Sequence, residues 1–208
     1  MTYELREFGV DDISELIWIK EDTGAWDGPK DDWVTSHKEK YTKYCKQFRT
    51  CIAAGGNQGM YPRLLSQLFQ RVMTFEPDHR NFHCLVNNCQ SENIIKINAA
   101  LGSSHLFVDL NRPVTDNTGM HNINLSQPGF IPQLMIDDFD FTDLDFIQLD
   151  IEGYEINALQ GAYATIQRNL PLISCENGND VILQYLSEFG YSIVDQSKAD
   201  TLYAVVST

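Results

Sequence analysis

Short apolar runs alternate with segments of helical spacing along most of this chain. Apolar residues recur with the period of a helix most clearly over Met60–Gln70, His79–Cys89, Tyr154–Arg168 and Asp180–Phe189. Strands that alternate with helices form a parallel sheet covered on both faces, so the pattern predicts an α/β fold. The predicted strands are Thr50–Ala54, Arg71–Phe75, Ile94–Asn98, Leu106–Leu110, Leu144–Leu149, Leu172–Cys175, Tyr191–Val194 and Leu202–Val206.

The last two predicted strands follow each other too closely for a helix to connect them. Only residues 195–201 lie between Tyr191–Val194 and Leu202–Val206, which favours an antiparallel hairpin. The predicted fold is therefore a mostly parallel α/β sheet that ends in an antiparallel C-terminal hairpin.

Residues 1–48 precede the first predicted strand and contain two stretches of helical spacing, one on each side of Thr23–Pro29. We expect an N-terminal helical cap that is part of the same unit as the α/β domain of residues 49–208. The stretch Asn111–Pro132 interrupts the alternation and is rich in Asn, Gly, Pro and Thr, as connecting loops are. It is a candidate substrate-binding loop.

The composition narrows the class of protein. A chain of 208 residues with 43% apolar content fits one globular domain with a full core. Its formal net charge of −14 opposes binding to nucleic acid and to anionic membranes. The N-terminus is acidic and no run of about 18 apolar residues occurs, so the sequence predicts a cytoplasmic protein. The five cysteines include no C-x-x-C pair, which predicts free, buried thiols.

A glycine-rich turn joins the first predicted strand to the first helix of the α/β domain. It consists of Gly55, Gly56, Asn57, Gln58 and Gly59. Glycines at such a turn let a ligand approach the backbone at a helix N-terminus. The spacing differs from the G-x-G-x-x-G dinucleotide fingerprint, and a tight connection without a ligand is the alternative interpretation.

An acidic residue, Glu76, ends the second predicted strand and lies 21 positions after Gly55. A carboxylate at this place can accept hydrogen bonds from both hydroxyls of a ribose. The alternative is a solvated glutamate that caps the next helix. Together with the glycine turn, Glu76 favours a ribose-containing cofactor, for which NAD and S-adenosylmethionine are both suitable.

A third candidate is Asp150, which follows the apolar strand Leu144–Leu149. Open α/β sheets bind ligands at the carboxyl ends of their strands, so we expect the Asp150 side chain to point into the site. Asp150 and Glu152 are also suitable N-terminal caps for the helix that follows, which is the structural alternative.

Four motifs in this order resemble the FkbM methyltransferases, and the resemblance spans about Thr50 to Asn177. It implies a Rossmann-like, seven-stranded methyltransferase sheet with an antiparallel C-terminal hairpin. It also implies S-adenosylmethionine as cofactor and an O-methyl product, often on sugars or polyketide-type hydroxyls. The residues that carry the resemblance are Gly55–Gly59, Phe75–Pro77 with Asn81, Phe82 and Leu85, Ala100–Gly102, and Leu149–Glu155 with Leu159–Ala162.

With S-adenosylmethionine as the cofactor, we expect its parts to lie against particular residues. The methionine portion would lie against Gly55, Gly56, Asn57 and Gly59, and the ribose on Glu76 beside Pro77. Asn98, Ala99 and Ala100 would border adenine, and Asp150 would lie nearest the methyl group and align the acceptor, either directly or through a metal.

Two residues depart from the family pattern. Ala53 stands where the family usually has Asp, and Gln148 replaces a usual Lys two residues before Asp150. The first change removes an acid expected to bind the methionine ammonium, and the second alters the surroundings of the reacting group.

A metal and a base are further candidates. Asp150, Glu176 and Asn177 offer oxygen ligands for one Mg²⁺, an arrangement similar to metal-dependent small-molecule O-methyltransferases. Glu176 and Asn177 are equally a turn and a helix cap by sequence. His121, in the loop Asn111–Pro132, is a candidate general base for a hydroxyl, although a loop histidine is more often a surface residue.

The sequence thus predicts an S-adenosylmethionine-dependent O-methyltransferase that acts on a hydroxyl of a small molecule or glycan, with a sugar as the preferred class. Two alternatives remain open at this point. One is an NAD-dependent oxidoreductase, for which the glycine turn and Glu76 are also suitable. The other is a methyltransferase-like binding module, which Ala53 and Gln148 suggest.

Overall fold

The computed structural model describes residues 2–8, 15–24 and 31–206, and for residues 31–33 it describes the backbone alone. Before the α/β domain lie an antiparallel strand pair, β1 (Tyr3–Glu7) and β2 (Glu15–Ile19), and one helix, α1 (Asp31–Tyr44). The first of the two predicted helical stretches is therefore wrong, because Leu16 and Trp18 are buried in the alternation of a strand. Trp26 lies outside the described residues.

The remaining strands and helices follow in the predicted alternation. The strands are β3 (Thr50–Ala54), β4 (Arg71–Phe75), β5 (Ile94–Ile97), β6 (Ala100–Leu101), β7 (Leu106–Asn111), β8 (Asn122–Asn124), β9 (Ile131–Leu134), β10 (Leu144–Leu149), β11 (Leu172–Glu176), β12 (Tyr191–Gln196) and β13 (Asp200–Val205). The helices are α2 (Met60–Ser66), α3 (His79–Asn88), α4 (Glu155–Gln160), α5 (Tyr163–Asn169) and α6 (Asp180–Ser187).

Seven strands form the main sheet in the order β12-β13-β11-β10-β3-β4-β5. The five strands from β11 to β5 are parallel, and β13 lies antiparallel between β11 and β12. The predicted parallel sheet with an antiparallel C-terminal hairpin is confirmed. The central strands β3, β4 and β10 direct their carboxyl ends to one edge, where the chain leaves the sheet in loops.

One predicted strand and one predicted loop belong to a second, smaller sheet of order β6-β9-β7-β8. The run Leu106–Leu110 is a strand, β7, but it pairs with β8 and β9 instead of joining the main sheet. The stretch Asn111–Pro132 is not an uninterrupted loop, because it contains β8, a short 3₁₀ turn at Thr118–Met120 and the start of β9.

The predicted helix Tyr154–Arg168 is broken into α4 and α5 around Gly161. A Cβ atom at Gly161 would lie 1.9 Å from the carbonyl oxygen of Gly102. Only glycine therefore lets the break between α4 and α5 pack against the backbone at Gly102. The Asp137 carboxylate accepts hydrogen bonds from the backbone N–H groups of Ala164 and Thr165, which fixes the start of the second helix.

The main sheet separates two apolar clusters, one on each face. Cys51 and Ala53 of β3 belong to the cluster that includes Tyr41 of α1, whereas Ile52 and Ala54 belong to the cluster on the opposite face. The alternation follows from the two-residue period of a strand. All five cysteines are free and buried, as predicted. In the described part of the chain, no helix combines the length and apolar character needed to cross a membrane.

Candidate active site

A cavity of about 680 Å³ lies at the carboxyl ends of β3, β4 and β10. This is the edge at which open α/β sheets bind their ligands. The loops after these strands form its floor, and parts of α1, of residues 18–24 and of residues 117–123 line its other sides. The predicted site residues that line it are Gly55, Gly56, Asn57, Glu76, Pro77, Ala99, Ala100, His121, Asp150 and Glu176.

The glycine turn is shaped by close backbone approaches. Gly55 has a φ of +79°, and a Cβ atom there would lie 1.8 Å from the carbonyl oxygen of Asp150. A Cβ atom at Gly56 would lie 2.4 Å from the Thr74 hydroxyl oxygen. Gly59 does not line the cavity; its missing side chain makes room for Cys89 of the α3 C-terminus. Gly59 therefore has a packing role in this structure, and its contact with the methionine portion stays a prediction.

Glu76 lies at one end of the cavity and is almost completely buried. Its carboxylate accepts hydrogen bonds from the backbone N–H groups of Asn57 (2.7 Å) and Asp78 (2.8 Å). Burial raises the pKa of Glu76 to about 8 despite these two hydrogen bonds. The side chain is thus held in place before any ligand arrives, and it can accept hydrogen bonds from ligand hydroxyls.

The adenine wall predicted at residues 98–100 is only partly in the cavity. Ala99 and Ala100 line it and are buried, so they form an apolar surface. Asn98 does not line it, because its side-chain amide donates hydrogen bonds to the carbonyl oxygens of Glu76 (2.7 Å) and Pro77 (3.3 Å). Asn98 therefore fixes the end of β4, and its contact with adenine stays a prediction.

Three carboxylates meet at the other end of the cavity. One oxygen each from Asp150, Glu152 and Glu176 lies within 4.8 Å of the others. Burial and the neighbouring Glu176 raise the pKa of Asp150 well above its ordinary value, and the same two causes raise that of Glu152 to about 7. Within the described residues, no Lys or Arg forms an ion pair with any of the three.

The predicted third oxygen ligand, Asn177, does not belong to this group. Its side chain is exposed, its φ is +50°, and its backbone N–H donates to the carbonyl oxygen of Ala199. The chain turns away from the cavity directly after Glu176, whereas the turn after Asp150, with Glu152 at a φ of +54°, brings a second acid to the site. Glu155 stabilises that turn by accepting hydrogen bonds from Ile151 and Gly153.

His121 lies near the Glu76 end and is bound to a buried aspartate that follows Glu76 by two residues. Its Nδ1 is 3.0 Å from Asp78 Oδ2. Burial would raise the pKa of Asp78, but the hydrogen bond from His121 and contacts with Arg80 outweigh burial and lower it. Arg112 also lies 3.4 Å from this carboxylate. Asp78 was not among the predicted site residues, although its place before α3 is that of a helix N-cap.

Near the three carboxylates, the cavity is also lined by His37 of α1, Tyr61 of α2 and Asp200 of β13, which belong to none of the sequence motifs. His37 Nε2 lies 3.5 Å from Asp200 Oδ2 and 3.5 Å from the Tyr61 hydroxyl, and all three residues line the cavity. Asp200 is paired with Glu176 across β13 and β11. Residues of the N-terminal region and the C-terminal hairpin thus meet beside Asp150, which local patterns in the sequence do not reveal.

The strand order is that of a Rossmann-like methyltransferase fold, with the cavity at the carboxyl ends of its parallel strands. The fold is similar to that of a methyltransferase FkbM from Methylobacillus flagellatus KT, at 20% identity and a TM-score of 0.54, over 83% of this chain and 52% of that one. A precorrin-6y C5,15-methyltransferase from Geobacter metallireducens GS-15 is similar at 11% identity and a TM-score of 0.52, over 90% of this chain and 95% of that chain. The present chain spans about half the length of the first of these proteins.

A match between the sequence and a known protein domain shows the family to which this chain belongs. Residues 55–193 match the Methyltransferase FkbM domain, and this match covers more than half of the chain. The chain therefore belongs to the FkbM methyltransferase family, as the motifs predicted. No curated protein matches it.

The two departures from the family pattern lie side by side in the main sheet. The register of β10 and β3 pairs Gln148 with Ala53, and both residues are fully buried. Asp and Lys at these positions would stand next to each other as a buried ion pair, so Ala and Gln replace both charges together. Both polar atoms of the Gln148 amide lack a hydrogen-bond partner among the described residues.

Proposed function

We propose that this protein transfers the methyl group of S-adenosylmethionine to a hydroxyl of a small molecule or glycan, with a sugar as the preferred class. The observation that carries the proposal is one cavity with a buried carboxylate, Glu76, at one end and Asp150 at the other. These residues follow strands β4 and β10, which are separated by β3. Two strand spacings amount to about 10 Å, which suits an extended nucleoside joined to an amino acid.

The donor is held in one orientation along this cavity. Glu76 accepts hydrogen bonds from the ribose hydroxyls, Ala99 and Ala100 border the adenine, and Gly55 and Gly56 leave room for the methionine portion. The sulfonium of a bound S-adenosylmethionine would lie beside Asp150, where the neighbouring carboxylates of Glu152 and Glu176 favour positive charge. Transfer to an oxygen placed in line with the departing sulfur requires orientation of two reactants and no covalent intermediate with the protein.

The proton of the acceptor hydroxyl is removed at the Asp150 end. Asp150, whose pKa is raised by burial and by Glu176, is suited to orient the acceptor, whereas Glu152, with a pKa of about 7, is suited to accept its proton. His121 was the predicted base, but its bond to Asp78 lies at the Glu76 end of the cavity. We therefore assign acceptor chemistry to Asp150 and Glu152, and to His121 the role of holding its loop against Asp78.

The three carboxylates also fit a divalent cation. Mg²⁺ prefers oxygen ligands, and Glu176 Oε2 lacks a hydrogen-bond partner among the described residues. Asp150, Glu152 and Glu176 would hold the ion, with Glu152 in the place predicted for Asn177. A bound cation would supply the charge that lowers the pKa of an acceptor hydroxyl.

Methyl transfer can be tested with S-adenosylmethionine carrying a labelled methyl group and a panel of free sugars, glycosides and small alcohols. We expect label in the acceptor with at least one sugar, and stoichiometric S-adenosylhomocysteine. Asp150→Asn should lower kcat more than it weakens cofactor binding, since the carboxyl acts on the acceptor. Binding of NAD instead, or cofactor binding without transfer to any oxygen, would contradict the proposal and favour an oxidoreductase or a binding module.

A further inference from the structure

The buried carboxylate of Asp22 lies where three separate segments meet above the cavity. Its Oδ2 accepts hydrogen bonds from the Gln58 side-chain amide (2.6 Å) and the Thr118 hydroxyl (3.0 Å). Its Oδ1 accepts one from the Thr118 backbone N–H (3.1 Å). All three residues are buried. One side chain thus joins the segment after β2, the glycine turn and the loop that follows β7.

Each of these segments lines the cavity. Asp22 and Gly24 do so from the N-terminal region, Asn57 from the glycine turn, and residues 117–123 from the third segment. The contact between the first and the last is close, because a Cβ atom at Gly24 would lie 2.5 Å from the Asn117 Cβ. Residues 117–123 are held a second time where His121 meets Asp78 beside the Glu76 end.

The strand pair at the N-terminus is bound to the glycine turn as well. The Ile19 N–H donates to Gln58 Oε1 at 2.9 Å. Asn88 at the end of α3 bonds both the N–H and the carbonyl oxygen of Ile17, and it also donates to the Gln58 carbonyl oxygen. The Gln58 side chain therefore points away from the cavity and fixes the turn from behind.

We propose that Asp22 is a positioning residue for S-adenosylmethionine. Asp22 lies outside the matched family domain, which covers residues 55–193. Its hydrogen bonds hold the glycine turn and residues 117–123 at a fixed separation around the cofactor. The role rests on the proposed function. Replacing the carboxylate with an amide leaves one acceptor oxygen for the three donors of Gln58 and Thr118 and turns an NH2 group toward at least one of them, so both cavity walls relax together.

The test is titration of S-adenosylhomocysteine into the parent chain, Asp22→Asn and the control Asp145→Asn, at a temperature where thermal denaturation shows all three folded. Asp145 is a matched control because its buried carboxylate binds Arg49, at the opposite end of β10 from the cavity. We expect Asp22→Asn to lose at least about 10-fold in affinity, with faster hydrogen exchange in residues 117–123, while Asp145→Asn keeps the parent affinity.

A second variant keeps the test decisive if Asp22→Asn does not fold. Thr118→Val retains the size of the side chain and Asp22 itself but removes the hydroxyl donor, and it should weaken binding in the same direction by a smaller factor. Parent-like affinity in a folded Asp22→Asn, or equal losses in Asp22→Asn and Asp145→Asn, would overturn the positioning role alone. A parent chain that binds neither S-adenosylmethionine nor S-adenosylhomocysteine would overturn the proposed function and this role with it.

Discussion

The two ends of the cavity differ in whether their carboxylates have hydrogen-bond donors and positive charges beside them. At the Glu76 end, two backbone N–H groups bind one carboxylate, and His121, Arg80 and Arg112 surround the next. At the Asp150 end, three carboxylates face one another, and no Lys or Arg in the described part of the chain pairs with them. The first end is complete without a ligand and suits neutral hydroxyls. The second end would be stabilised by a positive charge, such as a sulfonium, an ammonium or a metal ion.

The largest effect should come from restoring one charge beneath the Asp150 end. Ala53→Asp places a carboxylate in a fully buried position beside Gln148, and it should lower the free energy of unfolding by about 3–5 kcal/mol. Adding Gln148→Lys supplies a neighbour of opposite charge and should recover most of that loss. Urea denaturation of both single variants and the double variant measures the coupling. A double variant no more stable than Ala53→Asp would show that the two positions act independently.

A smaller effect is expected at the Glu76 end. Glu76→Ala should weaken binding of S-adenosylmethionine by about 1–3 kcal/mol, because hydrogen bonds between a carboxylate and two hydroxyls are lost. Calorimetric titration of the folded variant measures this, with the exposed Glu92→Ala as control. Equal affinity in the parent and Glu76→Ala would reject the ribose assignment.

The pH dependence of stability should reflect the raised pKa values at both ends. The pKa of Glu76 is about 8 and that of Glu152 is about 7, and both lie above the ordinary value of 4.5. Between pH 4.5 and the raised pKa of each group, the folded chain therefore binds more protons than the unfolded chain. Stability present at pH 5 is therefore lost as pH rises through 7 and 8, by at most about 1.4 kcal/mol per pH unit for each carboxyl. Glu152→Gln should flatten the decline below pH 7; a parent-like slope would contradict the assignment.

The smallest effect is expected from adding a cation. Mg²⁺ at a concentration equal to its Kd should stabilise the protein by about 0.4 kcal/mol, and more at pH 8 than at pH 6, because deprotonated carboxylates bind it. Thermal denaturation with and without Mg²⁺ measures the shift. Glu152→Gln should lose the response and Asn177→Ala should keep it. The reverse pattern would restore Asn177 as the ligand, and no response in the parent would reject the metal.

The sequence predicted the strand-end loops at the floor of the cavity far better than the residues of the N-terminal region that line its other sides. Gly55, Glu76 and Asp150 stand directly at strand ends, and apolar runs locate such ends by local periodicity alone. Asp22 and His37 reach the same cavity through contacts distant in sequence, in a region where the first strand pair resembled a helix. Asn177 was misplaced because the direction of a side chain after a strand depends on the turn, here a left-handed residue, which composition does not specify.

Because local patterns do not show contacts between distant residues, the two departures from the family pattern, Ala53 and Gln148, looked unrelated in the sequence. Ala53 and Gln148 are 95 positions apart in the chain but adjacent in the sheet. Only the strand register reveals that these two buried positions are neighbours. Local patterns predict which residues end a strand, whereas the partners of those residues come from the assembled sheet.

A crystal structure with S-adenosylhomocysteine would show how the cofactor lies between Glu76 and Asp150. We expect the ribose hydroxyls on the Glu76 carboxylate, adenine against Ala99 and Ala100, and the sulfur facing Asp150 with open space beyond it for an acceptor. A ligand bound in the reverse direction, with its ribose on Asp150, or one bound outside this cavity, would contradict the account.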